Sequence, residues 1–266
     1  MIMLRPRIIP CLLIRSKGLV KTMEFQPYKY IGDPINAVKI FNEKEADEIM
    51  ILDIDATVKS APPDFVMIQK LAAECRMPLC YGGGVTTVEI AKQIIGLGVE
   101  KVAISAAALS DSKLITRIAS DIGSQSVVVV LDIKKTPFGK YMVYTHNGQK
   151  LTGLTPVDAA REVESLGAGE IVINSIDKDG QMNGYDLDLA IMMREAIHLP
   201  ITVLGGAGSL ADISILISLC GTIGAAAGSL FVFKGTHRAV LINYPDLVQK
   251  EKIIRSVMSE RPKLKK

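Results

Sequence analysis

The chain carries its own pattern twice, and that limits its possible folds more than any other feature. Residues 34–55, PINAVKIFNEKEADEIMILDID, lie without a gap over residues 156–177, PVDAAREVESLGAGEIVINSID. Pro34, Ala37, Glu48 and Asp55 fall on Pro156, Ala159, Glu170 and Asp177 with one offset. Farther on, YGGG at 81–84 is laid on LGGA at 204–207, and GVEKVAISAA at 98–107 on GTIGAAAGSL at 221–230. Self-similarity over this length means that one supersecondary pattern is used in both halves.

That pattern alternates apolar, β-rich runs with amphipathic stretches. The runs are IIPCLLI, EIMILDI, MPLCYGGG, KVAIS, SVVVVLDI, EIVINSI, LPITVLGG and GAAAGSLFV, so eight strands are expected. Eight β and α units in about 250 residues point to an α/β fold, a (β/α)8 TIM barrel with a twofold half-barrel repeat. A doubly wound open sheet is the alternative. The expected organisation is one barrel domain over 1–258 and a basic tail, 259–266, ending in RPKLKK. Residues 213–233 contain no charge and are long enough to cross a bilayer. The repeat lays them on a segment carrying Glu100 and Lys101, so a buried helix and strand are expected there instead.

Composition excludes several classes. A net charge of +3 without a basic stripe gives nucleic acid no footprint. The apolar run at 8–14 is too short and lacks the cleavage site of a signal peptide, which suggests a cytoplasmic protein. Cys11, Cys75, Cys80 and Cys220 have no metal spacing and read as buried free thiols. His146, His198 and His237 have no partner at ligand spacing. Neither a metal nor another cofactor is expected.

Glycine clusters follow the third and seventh strands: Gly82, Gly83 and Gly84, then Gly205 and Gly206. Each gains small residues one strand later, Ser105 on one side and Gly228 with Ser229 on the other. Backbone N–H groups freed by such residues, at the start of a helix, cradle phosphate. Two repeat-related cradles suggest a ligand with two phosphates; the plainer reading is tight turns. Barrel active sites lie at the C-terminal strand ends. Acids stand there at Asp53 and Asp55, at Asp132, and at Asp177 and Asp179. Asp132 closes an apolar run and suits a general acid or base, with a helix cap or an ion pair to Lys134 or Lys135 as the alternative. The half-barrel counterpart of Asp132 is Leu13.

RIIPCL, GDP, LDIDA, GGG, GSQSVVVVLDIK, GAGEI, SIDKDGQMNGYD and GGAG together resemble the cyclase subunit of imidazole glycerol phosphate synthase, over nearly the whole chain. The resemblance implies a barrel that takes ammonia from a partner glutaminase and delivers it to a doubly phosphorylated ribotide. Its chemistry uses two aspartates, at the ends of strands one and five. Asp132 matches the second, and the first falls on Leu13, which cannot move a proton. Lys21 matches a loop lysine that closes over the substrate, and Ser105 stands where asparagine is usual. Arg7, Glu48, Lys101 and Glu170 each precede an apolar strand and match a charged gate at the tunnel entrance; end-capping ion pairs are the plainer reading.

The loop KTMEFQPYKYIGDP, with Phe25, Tyr28 and Tyr30, together with Leu13, looks like a paralogous branch of that family. That branch supplies ammonia for acetamidino groups on nucleotide sugars of bacterial surface (lipopolysaccharide-type) polysaccharides. The implied partners are a glutaminase on the barrel's N-terminal face and a phosphorylated small-molecule or nucleotide-sugar ligand. The alternatives are a histidine-pathway cyclase and a scaffold that only docks the glutaminase.

Overall fold

A computed structural model of the protein describes residues 5–260, with side chains through Arg255. The tail expected at 259–266 lies outside the described residues from position 261 onward.

Eight strands form the barrel wall: β1 (Arg7–Arg15), β2 (Ile49–Asp53), β3 (Leu79–Gly82), β4 (Lys101–Ile104), β5 (Val127–Lys135), β6 (Glu170–Ser175), β7 (Ile201–Leu204) and β8 (Gly224–Ala227). Each pairs in parallel with the next, and β8 pairs with β1, so the sheet closes and has no free edge. The open-sheet alternative is thereby excluded. Helices α1 (Pro34–Glu43), α2 (Phe65–Glu74), α3 (Val88–Gly96), α4 (Lys113–Ile122), α5 (Pro156–Ser165), α6 (Leu187–Ala196), α7 (Leu210–Cys220) and α8 (Leu247–Glu260) follow the strands.

Repeated residues do repeated jobs. Pro34 and Pro156 open α1 and α5, where a fixed φ suits the helix and the missing N–H is not needed. Asp33 and Thr155 cap those helices by accepting from Asn36 and Asp158 N–H. Thr87 and Ser209 likewise cap α3 and α7. The uncharged run at 213–233 is spent on α7, β8 and a short helix, Ser229–Val232, and no helix among the described residues is long and apolar enough to cross a membrane.

Strands bury residues on both sides. One cluster fills the space between sheet and helices, with Phe41, Ile51, Leu131 and Phe231 fully covered. Truncating Phe41 to alanine there would cost about 3–5 kcal/mol. A second cluster fills the barrel interior, with Ile9, Cys11, Met50, Cys80, Val128 and Val172 among its members. The period of two along a strand separates the sets: Ile9 and Cys11 point inward while Ile8 and Leu12 point out to the helices.

β1 and β5 have nine residues each, whereas the other barrel strands have four to six. Both run on past the rim into antiparallel hairpins. β1 turns back through Gly18–Thr22 and Tyr28–Gly32, and β5 through Tyr141–Thr145 and Lys150–Leu151. The two hairpins stand over opposite halves of the same mouth, as the repeat requires.

Candidate functional site

The floor of the barrel is charged. Arg7 bonds Glu48 and reaches Glu170 at 2.8 Å, while Lys101 Nζ lies 2.9 Å from both carboxylates. The four residues predicted as a gate therefore close a ring in which each cation touches both anions. Glu48 and Glu170 are buried, and Thr202 Oγ1 donates to Glu170 at 2.5 Å. Burial alone would raise the Glu170 carboxyl, but Arg7 and Lys101 outweigh it and hold the group below the usual carboxylate range. Burial pulls Lys101 down and the two glutamates more than reverse it, so the ammonium is held firmly charged.

Above the ring the interior is apolar and sulfur-lined, and it opens at the C-terminal ends of the strands into a cavity of about 770 Å³. Lys21, Asp53, Gly82, Gly83, Gly84, Ser105, Asp132, Gly205, Gly206, Gly228 and Ser229 all line it. Sequence reasoning thus placed nearly all its mouth residues on one surface. Asp55 and its repeat counterpart Asp177 are the exceptions: neither is part of the lining, Asp55 pairs with Arg15 and Lys59, and the Asp177 carboxylate accepts from the Lys135 N–H at 2.8 Å. Asp179, two residues on, lines the cavity instead.

The glycine clusters need one correction. Leu52 pairs with Gly82 and Asn174 with Leu204, so Gly82 corresponds to Leu204 and not to Gly205. Gly83 and Gly84 then match Gly205 and Gly206, and all four have positive φ. A Cβ at Gly83 would sit 2.6 Å from Asp53 O, and one at Gly205 2.7 Å from Ser175 O, the counterpart of Asp53. Three consecutive glycines let the overlay slide by one residue, and the backbone removes the ambiguity. Each glycine cluster is joined by a short helix one strand later. Ser105 opens the short helix Ala106–Ser110, and Gly228 opens Ser229–Val232. Lys21 is buried on its hairpin strand, donates to Cys11 O at 2.6 Å, and lies so close to Gly228 that a Cβ there would collide with its Nζ. Burial lowers the Lys21 pKa, and Asp179 partly offsets that. The second glycine cluster therefore has an amine beside it.

Acids at the mouth differ in setting. Asp53 Oδ1 accepts from Asp55 and Ala56 N–H at 3.0 and 3.2 Å, which fixes the turn after β2, and burial raises its pKa. Asp179 accepts from Thr22 Oγ1 at 2.6 Å and Phe25 N–H at 3.1 Å, tying the β1 hairpin to the loop after β6. Asp132 is pushed up to about 7 by burial, against a hydrogen bond from Asn174, with the Asp179 charge adding to the rise. That range lets one carboxyl give or take a proton near neutrality.

The counterpart of Asp132 is fixed by register. Ile9 pairs with Ala226 and Val128 with Ala103; Leu13 pairs with Leu52 and Asp132 with Asn174. The polar pair of one half is an apolar pair in the other, and all four residues line the cavity. Sequence reasoning found Leu13 and missed Asn174, a lone polar residue inside EIVINSI. Phe25 lines the cavity, whereas Tyr28 and Tyr30 are exposed, with the Arg15 guanidinium 4.0 Å from the Tyr28 ring centroid.

A family model described as histidine biosynthesis protein matches residues 7–237. A Vibrio vulnificus protein named provisionally as an imidazole glycerol phosphate synthase subunit is 54% identical over 253 residues, 95% of this chain and 97% of its own length. A Pseudomonas aeruginosa protein with a similar provisional name is 50% identical over 245 residues, 92% and 98% of the two chains. The imidazole glycerol phosphate synthase subunit of Alkaliphilus metalliredigens is 40% identical over 229 residues, 86% of this chain and 91% of its own length. With the closed barrel, these matches establish that the chain belongs to the histidine biosynthesis protein family and, within it, to the cyclase subunits of imidazole glycerol phosphate synthase.

Proposed function

We propose that this subunit receives ammonia from a glutaminase docked on its N-terminal face and delivers it to a phosphorylated acceptor at its C-terminal mouth. We further propose that it has diverged from histidine biosynthesis toward amidination of a nucleotide sugar for surface polysaccharide, in the cytoplasm. One contrast carries the reading: the charged floor is complete, while the acid expected on β1 is Leu13 beside Leu52.

The parts fit that task. Neutral ammonia can cross the apolar interior, where ammonium would lose its hydration without a partner. Lys101 holds the ring through a single flexible Nζ, whereas Arg7 uses two nitrogens, so Lys101 is the member that swings to admit ammonia. Gly83 and Gly84, with Ser105, grip one phosphate; Gly205 and Gly206, with Gly228, Ser229 and Lys21, grip the other. Asp53 and Asp177 support the loops around them. Asp132 moves a proton at the acceptor on the β5 side. Leu13 can move none, so a cyclisation that needs acids on both sides is not supported, while a single ammonia addition is.

Complementation of a histidine auxotroph lacking its cyclase tests this. No growth is expected from the native chain, and growth would overturn the divergence. Retention of both cradles and Asp132 favours a second reading, the cyclase itself with imidazole glycerol phosphate as product. Growth with the native chain would establish it, and rescue by Leu13→Asp alone would show that the loss is chemical. Lys101→Glu separates a conduit from a docking scaffold: product formation should uncouple from glutamine hydrolysis while the complex persists.

A further inference from the structure

Asp132 has one oxygen tied and one free. Asn174 Nδ2 donates to Oδ1 at 2.8 Å, and nothing else among the described residues bonds this carboxyl. Among the described residues no fully buried side-chain nitrogen or oxygen is left without a partner, so the unpartnered Oδ2 must open on the cavity that Asp132 lines. Asn174 is itself buried and sits directly beside Asp132 in the β5–β6 register, on a rigid strand. Its amide is therefore the one contact that sets which way the carboxyl turns. Where the chain has no acid, at Leu13, it also has no amide: the neighbour is Leu52. Partner and acid are present together or absent together.

We propose that Asn174 is a positioning residue for Asp132, holding Oδ1 so that Oδ2 is the oxygen that exchanges a proton with the acceptor. The proposal deepens the reading of the mouth as a site of acid–base chemistry and rests on it for the acceptor alone; the coupling between the two side chains stands by itself. A donor to the ionised carboxylate favours that form, so removing it should raise the pH at which Asp132 titrates.

The test follows the Asp132 carboxyl by carbon-13 NMR in the full chain, with its signal assigned by its loss in Asp132→Asn. Asn174→Leu, which copies the Leu52 environment, should move the midpoint up by about one pH unit or more. Asn174→Thr, which keeps a short donor, should return it to within about half a unit of native. Asn174→Ala carries the same expectation as Asn174→Leu if the larger side chain prevents folding. A midpoint unchanged or lowered in a folded variant overturns the proposal, as does an equal shift in Asn174→Thr and Asn174→Leu. Growth of the histidine auxotroph with the native chain would count against the proposed function alone, and the titration would still decide the role of Asn174.

Discussion

Leu13 and Leu52 face each other across the β1–β2 register at the positions that Asp132 and Asn174 fill on β5 and β6. The mouth of this barrel is therefore chemically one-sided within a symmetric frame. A carboxylate placed alone at Leu13 would have an apolar neighbour. Leu13→Asp should cost about 1–3 kcal/mol at neutral pH. Adding Leu52→Asn should recover part of that cost. Denaturant unfolding of the two single variants and the double variant measures the coupling; simple additivity would mean that the paired positions do not communicate.

The pH dependence of stability should report Asp132. Its folded pKa, about 7, lies above that of an unfolded aspartate, so between roughly pH 4 and 7 the native state holds a proton that the unfolded chain releases. Native stability should accordingly decline as pH rises through that window. Asp132→Asn should lack this component, so it should gain on the native protein from about pH 5 to pH 8. Parallel urea curves at those two pH values check it; an identical pH slope in both proteins refutes it.

At the floor, Lys101→Met leaves Glu48 and Glu170 sharing Arg7 alone. Breaking a buried ion pair from one side costs about 3 kcal/mol or more, and the lower figure applies because 28% of the Arg7 side chain stays accessible. Glu170 has a lowered pKa, so its stabilisation is present above the unfolded value and is lost as pH falls through the folded one. The deficit of Lys101→Met should therefore shrink in acid. Thermal melts at neutral and acidic pH would show this, and a constant deficit would mean that the ring contributes no net charge coupling.

Glycine replacements should separate cradle from loop. Gly83→Ala and Gly205→Ala each force a Cβ against a carbonyl at positive φ and should cost similar amounts, about 2–4 kcal/mol. Gly139, also at positive φ, has nothing within 4 Å, and its alanine variant should cost only about 1 kcal/mol. Calorimetric ranking of the three variants is the check, and a large difference between Gly83→Ala and Gly205→Ala would break their equivalence.

How legible these features were in the chain depends on what carried them. The barrel, its eight strands and the pairing of Leu13 with Asp132 follow from apolar runs and a repeat, both of which are one-dimensional signals. The floor ring was also readable, because Arg7, Glu48, Lys101 and Glu170 each stand at the start of an apolar run. The glycine register was not, since identical neighbours give an overlay nothing to hold. Nor was Asn174, whose importance lies in what sits beside it on another strand. Asp177 lies in a short 3-10 turn and Asp179 just after it, where alternation no longer says which side chain faces the mouth.

The ring at the floor has one further consequence. Arg7, Glu48 and Lys101 come from the first half-barrel and only Glu170 from the second, so the first half carries a surplus positive charge there and the second a surplus negative one. Neither half is electrically complete alone. Were the chain cut between α4 and β5, the two fragments would attract each other at the seam with a fixed polarity, and each would distinguish the other from a copy of itself.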